Sequence, residues 1–394
     1  MGAHVFVVDR FSFPVHRSRG FCGVKNPKDE DSRLSLYADL GCLRKGDTVF
    51  FYQRRVDEPR WERGFRGIYE VVSEPFFDTD DVDWQGNLVR GKCPECEEPY
   101  SEKVKNNKVI CPSCKTELNF AEHILPNRVL IKPKEYFELP VDDNTAYINH
   151  TNHGVLWTML FRKVFGPGRE RSVTPILPEE AIKLERLLKR VNNNKTSSFP
   201  AIPYSKTPKN FITINPGRGP KVPYENTLVA WMTRNIDKDY PVLKEIVGPR
   251  EELEFFGNHV LYGIGGEKVD FLCLHKKDQR YKATVMELKK DAIDERGVEQ
   301  ISDYSYWIAQ LSTANLPYPV NNFIIQPVLI GYRVSYKAQS LIEAMKIRQF
   351  KIPYQTPCNV TVYKPIVITY KAICGSINFE IKEKLSKGSL LDYV

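Results

Sequence analysis

The sequence predicts a multidomain chain, α+β in its first half and α/β in its second. Three observations carry that reading. Short β-rich runs at 4–8, 47–53 and 67–72, divided by the turn Arg44-Lys45-Gly46-Asp47 and a break around Pro59, have the spacing of a small β-barrel. Two Cys-x-x-Cys pairs interrupt that half. Past a proline-rich stretch, apolar runs alternate with helical patterns, as in a mixed sheet covered by helices.

The elements follow in order. After the first runs, an apolar stretch at 128–132 and another at 155–163 lead to a helix over 178–191. Ala181, Leu184, Leu188 and Val191 form its apolar stripe, and Glu179 with Lys183 and Glu185 with Lys189 are favourable i,i+4 pairs. Residues 192–223 then turn polar, with Asn192-Asn193-Asn194, several X-Pro steps and Gly217-Arg218-Gly219-Pro220, and read as a linker. The second half opens on a helix whose Leu228, Met232 and Ile236 recur at four-residue steps. An apolar run at 269–274, the charged turn Lys276-Lys277-Asp278-Gln279-Arg280 and the run 284–289 read as a hairpin. A helix begins near Gly297, and runs at 323–330 and 360–373 with a helix at 337–345 complete the half.

Cys93-Pro94-Glu95-Cys96 and Cys111-Pro112-Ser113-Cys114 have the paired spacing of a zinc ribbon with four thiolate ligands. Four thiolates leave no open position on the ion, so the zinc is structural. Its work is to fold a knuckle too short to build its own core. Cys22, Cys42, Cys273, Cys358 and Cys374 stand singly, and His123 is surplus to the set.

Composition bounds the function. A length of 394 residues allows two to three domains, and 42% hydrophobic residues suffice for packed cores. No apolar run approaches the roughly 20 residues needed to cross a bilayer, so the expectation is an intracellular, cytoplasmic protein without membrane contact. A net charge of +8 favours a polyanionic partner.

One constellation points to chemistry. Strand side chains alternate, so Glu287 and Lys289 share one face of the 284–289 run while Met286 and Leu288 share the other. The hairpin brings Asp270 beside Glu287. Two carboxylates ~4 Å apart repel by roughly 4 kcal/mol at an effective dielectric of about 20, a conflict that a divalent cation removes. Hard oxygen ligands suit Mg²⁺ or Mn²⁺, ions that polarise a phosphoryl oxygen and acidify an attacking water. Lys289 would then stabilise charge developing on the phosphate.

Over roughly 224–332 the chain resembles the PD-(D/E)xK nuclease superfamily, within it the RecB-like and NucS/EndoMS-type endonucleases. The resemblance implies a catalytic set of Asp270, Glu287 and Lys289, with Asp270 and Glu287 holding magnesium. It adds Glu225 as a third acid on the preceding helix, Glu252 being a weaker rival, and Gln300 with Tyr304 one turn apart beside the site. Val269 stands where the family pattern has proline. The stretches 40–52 and 64–72 resemble the EVE branch of PUA-like domains, small β-barrels that hold a flipped or modified base. Tyr52, Trp61, Trp84 and Trp157, with Phe65, are the candidate base-binding rings. Arg17, Arg19, Arg162, Lys163, Arg169 and Arg171 are the candidate phosphate contacts.

The expectation is therefore a PUA/EVE-like reader over 1–191 with a zinc ribbon inserted at 91–118, a linker over 192–223, and a PD-(D/E)xK nuclease domain over 224–394. Its function would be modification-dependent DNA restriction, with zinc structural and Mg²⁺ or Mn²⁺ catalytic. Cutting both strands implies two active sites and hence a homodimer. Two other readings stand beside it. One is a NucS-like repair endonuclease acting on mismatched or branched DNA. The other is a non-catalytic reader of modified nucleic acid.

Overall fold

Alternating side chains along the strands of the first sheet pack two opposite layers. The structure is a computed structural model and describes residues 2–53, 63–118, 120, 123–142, 145–146, 172–198, 202, 204, 206–238, 240–248, 253–262, 267–277, 280–315, 322–352 and 358–390. The strands are β1 (Ala3–Val8), β2 (Phe21–Val24), β3 (Thr48–Gln53), β4 (Gly64–Val71), β5 (Phe76–Phe77), β6 (Leu88–Lys92), β7 (Pro99–Lys103), β8 (Val109–Ile110), β9 (Glu117–Leu118), β10 (Asn127–Glu135) and β11 (Val173–Ile176). Seven of them form one sheet in the order β11-β1-β3-β4-β10-β2, with β5 on β10, while β6–β7 and β8–β9 are separate two-stranded sheets. Among the described residues the sheet is open, with β11 and β2 at its ends.

On one face Ala3, Val5, Phe50 and Tyr52 meet Leu184 and Leu188 of the Pro178–Val191 helix. On the other, Phe6, Val8, Val49 and Phe51 meet Leu36 and Leu40 of the Glu30–Gly41 helix. The Pro178–Val191 helix has the bounds expected from its stripe. Proline opens it where no N–H partner is required, and Glu180 Oε2 accepts from Leu177 N at 2.8 Å. Asp29 caps the Glu30–Gly41 helix by accepting from Ser32 N at 2.8 Å.

The second sheet comprises β12 (Leu253–Tyr262), β13 (Glu267–Lys277), β14 (Arg280–Ile293), β15 (Asn322–Val334), β16 (Arg348–Ile352), β17 (Cys358–Val362), β18 (Ile366–Ile373) and β19 (Ser376–Ile381). Its order is β12-β13-β14-β15-β17-β16, with β18 pairing both β15 and β19. The hairpin is present: β13 and β14 are antiparallel from Lys277–Arg280 to Phe271–Met286. β14 and β15 run parallel, which requires a crossover, and the Glu295–Asn315 helix supplies it. Val298, Ile301 and Ile308 of that helix pack on Val285 and Leu329. Met286, Leu288 and Val328 face the Glu225–Asn235 helix instead. The Tyr336–Ala344 helix is capped by Ser335, whose Oγ accepts from Ala338 N at 3.1 Å.

The Glu225–Asn235 helix departs from its simple stripe. Leu228 and Met232 are buried as expected, but Thr227, Val229, Ala230 and Trp231 are buried too. The sheet covers one side, and the Glu30–Gly41 helix from the first half packs along the helix as well, with Ala38 joining its core.

The polar stretch after Asn192 lies against the first half. Ile202 N donates to Ser18 O at 2.6 Å, Phe77 N to Asn210 O at 2.8 Å, and Ile212 N to Pro75 O at 3.1 Å. Ile212 is buried in the first sheet's core, and Val222 in the second's. Among the described residues no helix is long and apolar enough to cross a membrane.

Candidate functional site: a buried carboxylate pair and a four-cysteine centre

Asp270 and Glu287 stand one residue beyond the Phe271–Met286 pair, at the end of the β13–β14 ladder. Both are buried, at 8% and 2% exposure. Asp270 Oδ2 accepts from Leu288 N at 2.8 Å, which ties the acid of one strand to the backbone of the next. Lys289 Nζ lies 2.5 Å from Glu287 Oε1 and 3.3 Å from Gln300 Oε1. Gln300 Nε2 in turn donates to Tyr304 OH at 3.3 Å. Glu225, at the first turn of its helix, accepts from Lys290 N at 3.2 Å. All six residues expected at the site therefore converge on one end of β14.

The electrostatics of the pair set its character. Burial, then the neighbouring Glu287 charge, pushes Asp270 well above the ordinary carboxylate range, against the opposing Leu288 N–H. Burial also raises Glu287, and the adjacent Lys289 ammonium pulls it back. Lys289 loses charge stability to burial but gains more from Glu287, Asp270 and Glu225, so it is held above the usual lysine value. Glu287 Oε2 is buried with no hydrogen-bond donor among the described residues. A buried acceptor left open is costly, and a hard cation would satisfy it. The two carboxylates have the hard oxygen chemistry of a Mg²⁺ or Mn²⁺ site and could hold such an ion.

Several members of the site carry no signal of their role in the sequence. The Leu288 and Lys290 amides are backbone groups and carry no side-chain signal. Gly297 lies so near Lys289 that an added Cβ would meet Lys289 Cε at 3.3 Å, which explains a glycine inside the first turn of that helix. His259, next to Asn258 on β12, has φ 49°, and the β12–β13 ladder has no recorded pair there although Asn258–Phe271 and Val260–Val269 flank it. Asp270 projects from this irregularity. Glu252 lies outside the described residues.

Cys93, Cys96, Cys111 and Cys114 form the one group of three or more potential ligands gathered within 4.8 Å among the described residues. The sulfurs of Cys93 and Cys114 are 3.5 Å apart, and those of Cys96 and Cys111 are 3.7 Å apart. A tetrahedron of ~2.3 Å Zn–S bonds has edges of about 3.8 Å, so the set fits zinc. The two knuckles repeat one geometry. Glu97 N donates to Cys93 O and Lys115 N to Cys111 O, while Glu97 and Lys115 take φ of 59° and 66°. Thr116 lies 3.3 Å from Cys114 and lowers that thiol to about 6, toward the thiolate a metal requires.

The aromatic candidates of the first half fare differently. Tyr52 and Phe65 pack on each other, ring centres 4.8 Å apart, inside the core under the Pro178–Val191 helix. Trp84 is 2% exposed and packs with Val89, Cys93 and Tyr100 beneath the ribbon. Enclosed rings of this kind are core and offer no face to a base, which corrects the expectation for Tyr52 and Trp84. Arg17 is engaged with Tyr136, and Arg19 lies 3.9 Å from Asp83, so both serve internal contacts rather than presenting free cations. Trp61, Trp157, Arg162, Lys163, Arg169 and Arg171 lie outside the described residues.

A further charged group was not anticipated. Arg128 is fully buried, donating to Asp83 Oδ2 at 2.7 Å, Asp80 O at 2.7 Å, Leu125 O at 2.9 Å and Tyr204 OH at 3.1 Å. Its guanidinium lies 4.4 Å from the centre of the Phe21 ring. No periodicity marks an arginine for burial.

No protein-family model matches this chain, and no curated protein matches it. Among solved structures, human THYN1 in complex with 5-methylcytosine-containing DNA is similar at 15% identity, covering 48% of this chain and 98% of that one, with a TM-score of 0.27. A Pseudomonas putida protein is similar at 14% identity over 47% and 98%, TM-score 0.27. An EndoMS–double-stranded DNA complex is similar at 12% identity over 82% and 93%, TM-score 0.21.

Proposed function

We propose that the chain is a metal-dependent DNA endonuclease of the modification-dependent kind. Residues 1–191 would read an altered base, with the zinc ribbon at 91–118 as an insertion, and residues 224–394 would cut the backbone nearby. The observation that carries this reading is the buried Asp270–Glu287 pair, with one Glu287 oxygen lacking a donor and the Lys289 ammonium 2.5 Å from the other.

A bound Mg²⁺ or Mn²⁺ supplies Lewis acidity toward the phosphate and an acidified water. The protein's own groups do the rest. Leu288 N holds the Asp270 carboxylate in position, and Lys289 offers a positive charge to the phosphate as negative charge develops there. Gln300 holds Lys289 from the far side and is itself oriented by Tyr304, which limits where the ammonium points. Glu225 brings a third carboxylate to the same edge.

DNA as partner follows from the chemistry of the site and from the +8 charge. A flipped base adds selectivity, because unpairing costs a few kcal/mol that only the correct base recovers by stacking and hydrogen bonding. Cutting both strands takes two such sites, which a second copy would provide. The test is cleavage of matched plasmids, unmodified, methylated, hydroxymethylated or mismatch-bearing, with Mg²⁺ or Mn²⁺, by the native protein and by Asp270→Ala. Metal-dependent cutting of one modified plasmid that vanishes in the variant supports the proposal. Preference for the mismatched plasmid would make the protein a repair enzyme, and no cutting at all would leave a non-catalytic reader.

A further inference from the structure

The two halves of the chain meet through buried polar contacts as well as apolar ones. Asn258 is fully buried, donates through Nδ2 to Asp39 Oδ1 at 3.0 Å, and accepts at Oδ1 from the Cys42 thiol at 3.2 Å. Arg44 grips Asp237 with two bonds of 2.8 and 2.9 Å, reaches Thr233 O at 2.6 Å, and lies 4.7 Å from the Phe256 ring centre. Gly41 allows close approach: an added Cβ would lie 2.6 Å from Thr233 Oγ1. At the other end of the same helix pair, Asn226 Nδ2 donates to Asp31 Oδ1 at 3.0 Å.

These contacts fall on the helix that carries Glu225 and on β12, the strand paired with the one that carries Asp270. Asn226 follows Glu225 directly. Asn258 pairs with Phe271, the neighbour of Asp270, at the irregularity that His259 creates. A buried amide satisfied on both its oxygen and its nitrogen, and a bidentate arginine, hold geometry more narrowly than apolar packing alone. The stretch after Asn192 adds no slack, because it too is bonded along the first half.

We propose that Asp39, Cys42 and Arg44 of the first half are positioning residues for the cutting site, and that their contacts with Asn258 and Asp237 fix the offset between the base read and the bond cut. The connecting stretch is thereby relieved of that role. This rests on the nuclease reading, and the first consequence is a single cleavage offset. The second is independent of activity: the halves unfold together, because each core of the second half includes a residue of the first. Ala38 lies in the core of the second sheet, and so does Leu177 on its other face.

The experiment pairs product-end mapping on the preferred plasmid with calorimetry of the full chain, native and carrying Arg44→Ala with Asn258→Ala. The expected result is one cleavage offset and one unfolding transition for the native protein. The double variant should spread its offsets over several positions and lower kcat at least tenfold, with substrate affinity within about threefold, and its unfolding should broaden or split. The milder single variant Arg44→Lys, which keeps charge but loses the bidentate grip, should fold and show the offset spread in part. A native protein that cuts at scattered offsets overturns the proposal and leaves the nuclease reading standing. If the native protein cuts nothing, calorimetry decides alone, and two independent transitions in the native chain overturn the coupling.

Discussion

Lys289 Nζ sits 2.5 Å from Glu287 Oε1, while Glu287 Oε2, equally enclosed, has no donor among the described residues. One oxygen of the carboxylate meets the ammonium, and on the proposed reading the other, beside the Asp270 carboxyl, takes the metal. Lys289→Met should lower cleavage by about 10²–10³-fold, the loss typical of removing one preorganised charge-stabilising group. Divalent-ion binding should persist, because Asp270 and Glu287 remain. Isothermal titration with Mn²⁺ alongside single-turnover kinetics separates the two effects, and loss of Mn²⁺ binding in this variant would refute the assignment of Lys289 to the phosphate.

Asp270→Asn should trade activity for stability. The amide keeps an acceptor for Leu288 N and cannot ionise beside Glu287, where burial already disfavours the Asp270 charge. Cleavage should become undetectable while the metal-free protein gains about 1–2 kcal/mol in stability. Chemical denaturation of the two proteins without divalent ions measures this, and a destabilised variant would show that the acid is stabilising as it stands.

The same pair predicts a pH dependence whose sign follows from its raised carboxyl groups. Asp270 and Glu287 both bind protons more tightly in the folded state than in the unfolded one. Their contribution is complete below the unfolded values near 4 and is lost as pH rises through the higher folded values. The pair's contribution in the metal-free protein should therefore fall as pH climbs above about 4, opposite to that of carboxyl groups held low such as Asp47, and Mg²⁺ should restore more at pH 8 than at pH 5. Thermal melts across pH with and without Mg²⁺ test this, with Asp270→Asn giving the flatter profile.

Burial of Arg128 between Asp83, Asp78 and four other acceptors or rings makes it a structural keystone of the first half. Arg128→Met leaves a buried carboxylate uncompensated and should cost roughly 3–5 kcal/mol, the loss seen when one partner of a buried pair is removed. Urea denaturation measures it. Adding Asp83→Asn to the variant should recover part of the loss.

Zinc should bind at one ion per chain through the four cysteines, and Cys93→Ser or a strong chelator should release it. The ribbon's core is shared with Val15, Phe21 and Trp84 of the first half, so release should change the environment of Trp84 as well as unfold the knuckles. Metal analysis and tryptophan fluorescence report the two events, and an unchanged spectrum on complete zinc loss would place the ribbon apart from that core.

Much of this molecule was legible in its residues because the signals were local. The Cys-x-x-Cys knuckles need only short loops with fixed backbone turns, so their spacing specified the four-sulfur cluster. The Glu287–Lys289 alternation and the Gln300–Tyr304 step follow from the strand and helix periods, and the structure faces them toward each other. The Pro178–Val191 helix was marked by its proline, its stripe and its charge pairs.

What only tertiary structure decided was set by partners distant in sequence. Tyr52 and Trp84 suit a base pocket and a barrel core equally by residue type, and only the Pro178–Val191 helix and the ribbon show them enclosed. The Glu225–Asn235 helix is buried on a second side by a helix some 190 residues earlier, near Asp31 and Ala38. Arg128 is buried because two acids, a tyrosine hydroxyl and backbone carbonyls converge on it. The sequence by itself determined which residues can pair, ligate or alternate, since those properties belong to the side chain and its near neighbours. Which of them are enclosed, and which charges are shifted by enclosure, depended on the assembled fold, because desolvation is a property of everything packed around a group and not of the group itself.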